Sequence, residues 1–193
     1  AQATATGRAG VSVIRLSGRQ AFDIANNFCK LPAVGRTGLR ALLGCDGALI
    51  DHGLVLCFEQ GASFTGERVV EFQVHGGLAT VAKLLAELSM QDGCRLAVPG
   101  EFTRRALENG QLDLNQVEAL SDLIDAETEA QRQQAIRVLD GSFGDAGEQW
   151  RGKLLRAAAL LEASIDFSDE EIPDDLSVEV IKLVEETRGS IAA

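Results

Sequence analysis

The stretch VVEFQVHGG (69–77) has the alternation of a β-strand, with Val70, Phe72 and Val74 on one face and Glu71, Gln73 and His75 on the other. A carboxylate, an amide and an imidazole thus stand in a row beside a doubled glycine. A solvent-washed strand face is the commoner reason for such a row, so the other chemistry-bearing residues have to decide. A hydrolase triad can be drawn from Ser63, His75 and an aspartate, but no serine sits in a nucleophile elbow. GEQWRGKL (147–154) satisfies G-x-x-x-x-G-K, yet Leu154 stands where a P-loop needs a magnesium-binding hydroxyl. It also reads as part of an amphipathic helix with Trp150 on its apolar side, so the match is by chance. No dinucleotide-binding G-x-G-x-x-G occurs. SDEEIPDD (168–175) lacks the spacing of a calcium loop and reads as a solvated linker.

Cys29, Cys45, Cys57 and Cys94 show no CxxC spacing, and His52 and His75 are the only histidines, so no metal site is expected. The mostly apolar surroundings of the cysteines suit reduced, buried thiols and a reducing compartment, the cytoplasm or an organelle matrix. The 193 residues suffice for one large domain or two small ones, and no apolar run approaches a membrane span. A formal net charge of −11, with no basic run, argues against direct nucleic-acid binding, because that affinity rests on Lys and Arg neutralising phosphates. Any role in RNA chemistry would need a basic partner or another domain.

The elements that must position these residues divide into two kinds. Up to about residue 112 strands and helices mix. VSVIRL (11–16) reads as a strand with Val11, Val13 and Arg15 on one face, and Ser17 with Gln20 as a capping box for the helix that follows. LRALLG reads as a short strand, LVLCF (54–58) as a strand buried on both faces, GGLATVAKLLAELSM as a helix and CRLAV as a last strand. EFTRRALE is a short helix stopped by Asn109-Gly110. From residue 113 onward the pattern is helical. Asn115 with Glu118 caps one helix running to Leu139, and GSFGDAG breaks it. A second helix shows Trp150, Leu154, Ala158, Leu161 and Ile165 on one side, and a third spans about Leu176 to Arg188. Their weak stripes make an incomplete all-α bundle that packs on something else. The expected organisation is therefore an α+β domain with a mixed sheet over 1–112 and the first part of a helical domain over 113–193.

GRAGVSVIRLSG, SFTGERVVEFQVHGG, PGEFTRRALENGQLDLNQVEALSDLIDAETEAQ and IDFSDEEI, in this order, resemble the N-terminal half of the MnmE/TrmE family of tRNA-modifying GTPases. The resemblance runs from the first residues into the acidic stretch. It implies an N-terminal domain similar to the folate-binding domains of the glycine-cleavage T-protein class, forming a constitutive homodimer and binding 5-formyl-tetrahydrofolate or another reduced folate. It further implies a helical domain into which a GTPase domain is inserted, using GTP, magnesium and potassium. With a flavoprotein of the MnmG/GidA type, the complex builds a carboxymethylaminomethyl- or aminomethyl-type group on C5 of the tRNA wobble uridine. The chain is expected to stop near the start of the GTPase insertion, and so not to hydrolyse GTP. It is expected to meet tRNA through the complex, without a membrane.

Carried over by position, the family's folate contacts fall on Arg15, Glu71 and Gln111. A pterin offers N3–H and a 2-amino group side by side, which one carboxylate can accept together. Arg15 can serve a ring oxygen or the cofactor's glutamate carboxylate. Gln111 departs from the pattern, standing where the family has Lys: it keeps a donor and loses the charge. The doubled glycine suits either an anion at a helix N-terminus or close strand–helix packing, and His75 is read as structural. The alternative is a dimerisation scaffold for the GTPase domains without productive folate use. A free-standing folate-dependent methyltransferase domain leaves LDLNQVEALSDLIDAETE unexplained.

Overall fold

The structure, a computed structural model, describes residues 1–166 and 176–192. SDEEIPDD lies outside them. The chain forms two compact units, Ala1–Asp113 and Leu114–Ala193.

The first unit contains β1 (Ala9–Ser17), α1 (Ala21–Asn26), β2 (Thr37–Leu43), β3 (Leu49–Phe58), β4 (Val69–Gly76), α2 (Leu78–Ser89) and α3 (Glu101–Glu108). The strands form one sheet in the order β1-β4-β3-β2. Every pairing is antiparallel, which corrects the expected mixed sheet. β2, β3 and β4 follow one another as simple reversals, and β1 joins β4 at the far side, so no two parallel strands become neighbours. Residues 1–3 run along the free edge of β1, where the Arg15 N–H donates to the Ala1 carbonyl and the Ala3 N–H to that of Val13. That pairing satisfies backbone groups an open edge would leave exposed.

The period-2 pattern of β4 survives in full. Val70, Phe72 and Val74 are buried, Glu71 and Gln73 are half-buried, and His75 is exposed. The buried set meets Ala25 and Phe28 near α1 and Leu84 and Leu88 of α2 in a single core, with the Phe28 and Phe72 rings edge to face at 6.4 Å. Among the described residues of this unit, helices cover only this side of the sheet. LVLCF is therefore buried on one face, through Val55 and Cys57, while Leu54 is exposed. CRLAV is not a strand; it is irregular backbone between α2 and α3. Nor does Ser17 cap α1. It ends β1, and its hydroxyl meets Thr65 Oγ1 and donates to Glu67, both at 2.7 Å.

The doubled glycine has a packing cause. A Cβ on Gly76 would stand 2.5 Å from the Ala9 carbonyl oxygen, where β1 and β4 close on each other. Strand–strand approach, rather than strand–helix packing, requires glycine there. Gly77 is the extended N-cap of α2 and meets no such obstacle.

The second unit contains α4 (Leu114–Asp125), α5 (Glu129–Leu139), α6 (Ser142–Asp166) and α7 (Leu176–Ile191). Where one helix to Leu139 was expected, there are two. Thr128 and Gln131 form a reciprocal capping box that starts α5. α4 already begins at Leu114, so Asn115 lies inside its first turn. GSFGDAG breaks the chain only at Gly141, whose φ of +88° suits glycine, and α6 starts at the next residue. α6 and α7 pack through the face carrying Ala157 and Thr187, joined at the rim by Lys153–Glu186 and Arg156–Glu179 ion pairs. The expected stripe of Leu154, Leu161 and Ile165 is instead exposed. No helix among the described residues is long and apolar enough to cross a membrane.

Candidate functional site

Antiparallel register places Arg15 of β1 directly opposite Glu71 of β4, on the sheet face that the helices leave open. The two side chains meet: Arg15 Nε donates to Glu71 Oε1 at 2.6 Å. Glu71 is the more sheltered, at 15% exposure against 36% for Arg15. Glu71 Oε2 and both terminal guanidinium nitrogens of Arg15 have no partner among the described residues. The cross-strand pair thus presents an unused acceptor beside unused donors. Such an edge fits a planar heterocycle carrying an N–H next to a ring oxygen. The Arg15 guanidinium also lies 6.0 Å from the centre of the Phe64 ring, in the loop between β3 and β4.

Gln111 follows α3, and the Asn109 amide of the same segment donates to the Thr65 carbonyl at 2.6 Å. The exposed Gln111 side chain packs on Gly66, with its Cγ 3.0 Å from where a Cβ of that glycine would stand. Gln111 therefore touches the same loop as Arg15, through a different residue, and bonds to neither Arg15 nor Glu71.

An ionic network, overlooked in the sequence, anchors this segment. Glu101, 8% exposed, accepts from both terminal nitrogens of Arg95 at 2.7 and 2.8 Å, from the Val98 N–H at 2.9 Å and from Arg105 at 2.7 Å. Arg95, then the Val98 amide, then Arg105 hold its carboxyl down to about 2. Arg105 continues to Glu67 at 2.9 Å, and Glu67 accepts from Ser17. The available signal was Glu101 and Arg105 at i, i+4 on a short helix.

His75 is engaged at the end of the β3–β4 ladder. Its Nδ1 lies 2.8 Å from Asp51 Oδ1, and its backbone N–H donates to Asp51 Oδ2 at 2.8 Å. Burial pushes the Asp51 carboxyl up, but the bonds from His75 and the His52 N–H outweigh it and leave the pKa lowered. The pair bridges two strands whose paired register ends at Leu54 and Gln73.

The four cysteines are free thiols, and burial pushes Cys57 up to about 11. Among the described residues no three His, Cys, Asp or Glu side chains could jointly hold a metal. The G-x-x-x-x-G-K stretch lies wholly within α6, not in a loop after a strand. A cleft of about 420 Å³ lies beside α1, α2 and α3 and is bordered by Arg15, Leu16, Ile24, Leu88 and Phe102; neither Glu71 nor Gln111 lines it. A smaller, polar cleft of about 340 Å³ is lined by Arg19, Gln60, Gly66, Glu67, Arg68 and Asn109.

An antiparallel α+β unit with a cross-strand ion pair on its open face, followed by an all-helical unit, defines the class. The family model described as "GTP-binding protein TrmE N-terminus" matches residues 1–111, and "MnmE helical domain" matches 114–193. The chain belongs to the MnmE (TrmE) family. It is 58% identical over 189 residues to the tRNA modification GTPase MnmE of Roseobacter denitrificans, covering 97% of this chain and 44% of that protein. The protein of the same name from Ruegeria pomeroyi is 58% identical over 195 residues, 99% of this chain and 45% of that protein. That of Parvibaculum lavamentivorans is 47% identical over 210 residues, 100% and 45%. The chain thus spans less than half the length of these relatives.

Proposed function

We infer that this chain is the cofactor-binding, dimer-forming part of a GTPase that modifies tRNA wobble uridine at C5 together with an MnmG/GidA-type flavoprotein in the cytoplasm. GTP, magnesium and potassium belong to a GTPase domain outside residues 1–193. With its charge of −11, the chain would meet tRNA through the complex. The observation that carries the cofactor reading is the Arg15–Glu71 pair with its unused acceptor and donors. Glu71 would accept from the N3–H and 2-amino edge of a reduced pterin, and Arg15 would donate to the ring oxygen. Their mutual bond holds both groups in the orientation needed before a ligand arrives, which lowers the ordering cost of binding. Gln111 would sit at the rim. The 5-formyl-tetrahydrofolate-type cofactor, once bound, would supply a one-carbon unit.

Val11, Leu39 and Leu54 are exposed on the same helix-free sheet face. Apolar groups there suit a second copy of the chain better than water. The scaffold reading, dimerisation without productive folate use, rests on Gln111 alone.

Equilibrium dialysis of the 193-residue chain against 5-formyl-tetrahydrofolate is expected to give one bound molecule per chain. No uptake at cofactor concentrations would leave only the scaffold. Sedimentation velocity on the same sample is expected to show a dimer without nucleotide, and a monomer at micromolar concentration would remove the shared interface.

A further inference from the structure

We propose that the polar cleft beside the β3–β4 loop takes the glutamate carboxylates of the folate tail, with Arg19 as the cation that holds them. This assignment rests on the folate reading of the Arg15–Glu71 pair. Arg15 lies 2.6 Å from Glu71, so it serves the same end of a ligand as Glu71 does. The carboxylate end then needs another cation. Gln111, at the rim, offers only an uncharged donor.

Arg19 meets that need. It makes no ion pair or side-chain hydrogen bond among the described residues, and it lines the cleft with Gly66 and Asn109. Gly66 is also the residue on which Gln111 packs, so Arg19 and Gln111 border one glycine. The other charges in the cleft are largely committed. Glu67 is held by Arg105 and Ser17, which offsets its repulsion of an incoming anion. Arg68 spends its Nε on Glu59 at 3.1 Å and lies over the Phe22 ring at 5.2 Å, leaving its terminal nitrogens for a second contact.

The path is continuous. Ser17 ends β1, between Arg15 on the strand and Arg19 in the turn that follows, and it bonds to Thr65 and Glu67 of the loop. Arg15 and Arg19 also border one common cleft, that of about 420 Å³ beside the helices.

The test is calorimetric titration of the 193-residue chain with 5-formyl-tetrahydrofolate and with 5-formyl-tetrahydropteroate, which lacks the glutamate. The proteins are wild type, Arg19→Gln and Arg104→Gln, the last an exposed arginine of α3 as control. Wild type is expected to prefer the folate. Arg19→Gln is expected to lose about fivefold in affinity for the folate and nothing for the pteroate, as suits one solvent-exposed charge. Arg104→Gln is expected to match wild type. An undiminished folate preference in Arg19→Gln overturns the tail assignment alone. Binding of neither compound by wild type overturns the reading of Arg15 and Glu71, and the tail assignment with it.

Discussion

Replacing Glu101 by Gln is expected to lower stability by about 2–3 kcal/mol at neutral pH, the scale of losing charge-assisted hydrogen bonds from a sheltered carboxylate. Gln keeps the shape and one acceptor, but Arg95 and Arg105 lose the anion between them, and one of their bonds meets an amide N–H instead. Both arginines are partly exposed, so water relieves some of the loss. The pH dependence has a definite sign. The carboxyl is held at about 2 in the folded chain, below its ordinary 4.5. Its contribution is therefore complete above about pH 4.5 and disappears as pH falls from there to about 2. Urea unfolding of both proteins at neutral pH and at intervals down to pH 3 is expected to show the gap narrowing with acid. A gap constant across that range, or none at neutral pH, would mean that the network does not hold α3.

For Glu71→Gln the expected result is a loss of roughly ten- to a hundredfold in affinity for 5-formyl-tetrahydrofolate, with the fold intact. The side chain lies on the open face, outside the apolar core, so little packing depends on it. What disappears is the charge that strengthens two acceptor bonds, and the anion that orients Arg15. Gln111→Lys adds a cation beside Gly66 and is expected to hold or raise affinity. Calorimetry on the three proteins checks both statements. Equal affinity in wild type and Glu71→Gln would return Glu71 to an ordinary strand carboxylate.

The strand carrying Glu71 was legible because a period of two needs only local residues. Its partnership with Arg15 was not, since it depends on the register between strands 56 positions apart. LVLCF misled because an apolar run does not say how many faces the helices cover. The stripe from Trp150 to Ile165 misled similarly: helical spacing marks an apolar side, while the packed side is set by where α7 lies. The break at Thr128 could have been read from T-E-A-Q, a capping box inside an otherwise polar stretch. Glu101 carries no local sign of its burial, which involves Arg95, in irregular backbone whose sequence resembles a strand. Position 111 stood out only through the family resemblance; nothing in its own neighbourhood of the sequence marks it.

The pairing of Arg15 with Glu71 offers the most direct probe of cofactor binding at this face. Its Nε–H, donated to Oε1, gives its own resonance in a ¹⁵N-labelled chain. Titration with 5-formyl-tetrahydrofolate is predicted to shift that resonance and the backbone amides of Glu71 and Gly66, saturating at one equivalent, while Arg132 of α5 stays unchanged. Saturable shifts confined to Leu88, Phe102 and the rest of the 420 Å³ cleft, with the Arg15 Nε–H unmoved, would contradict it.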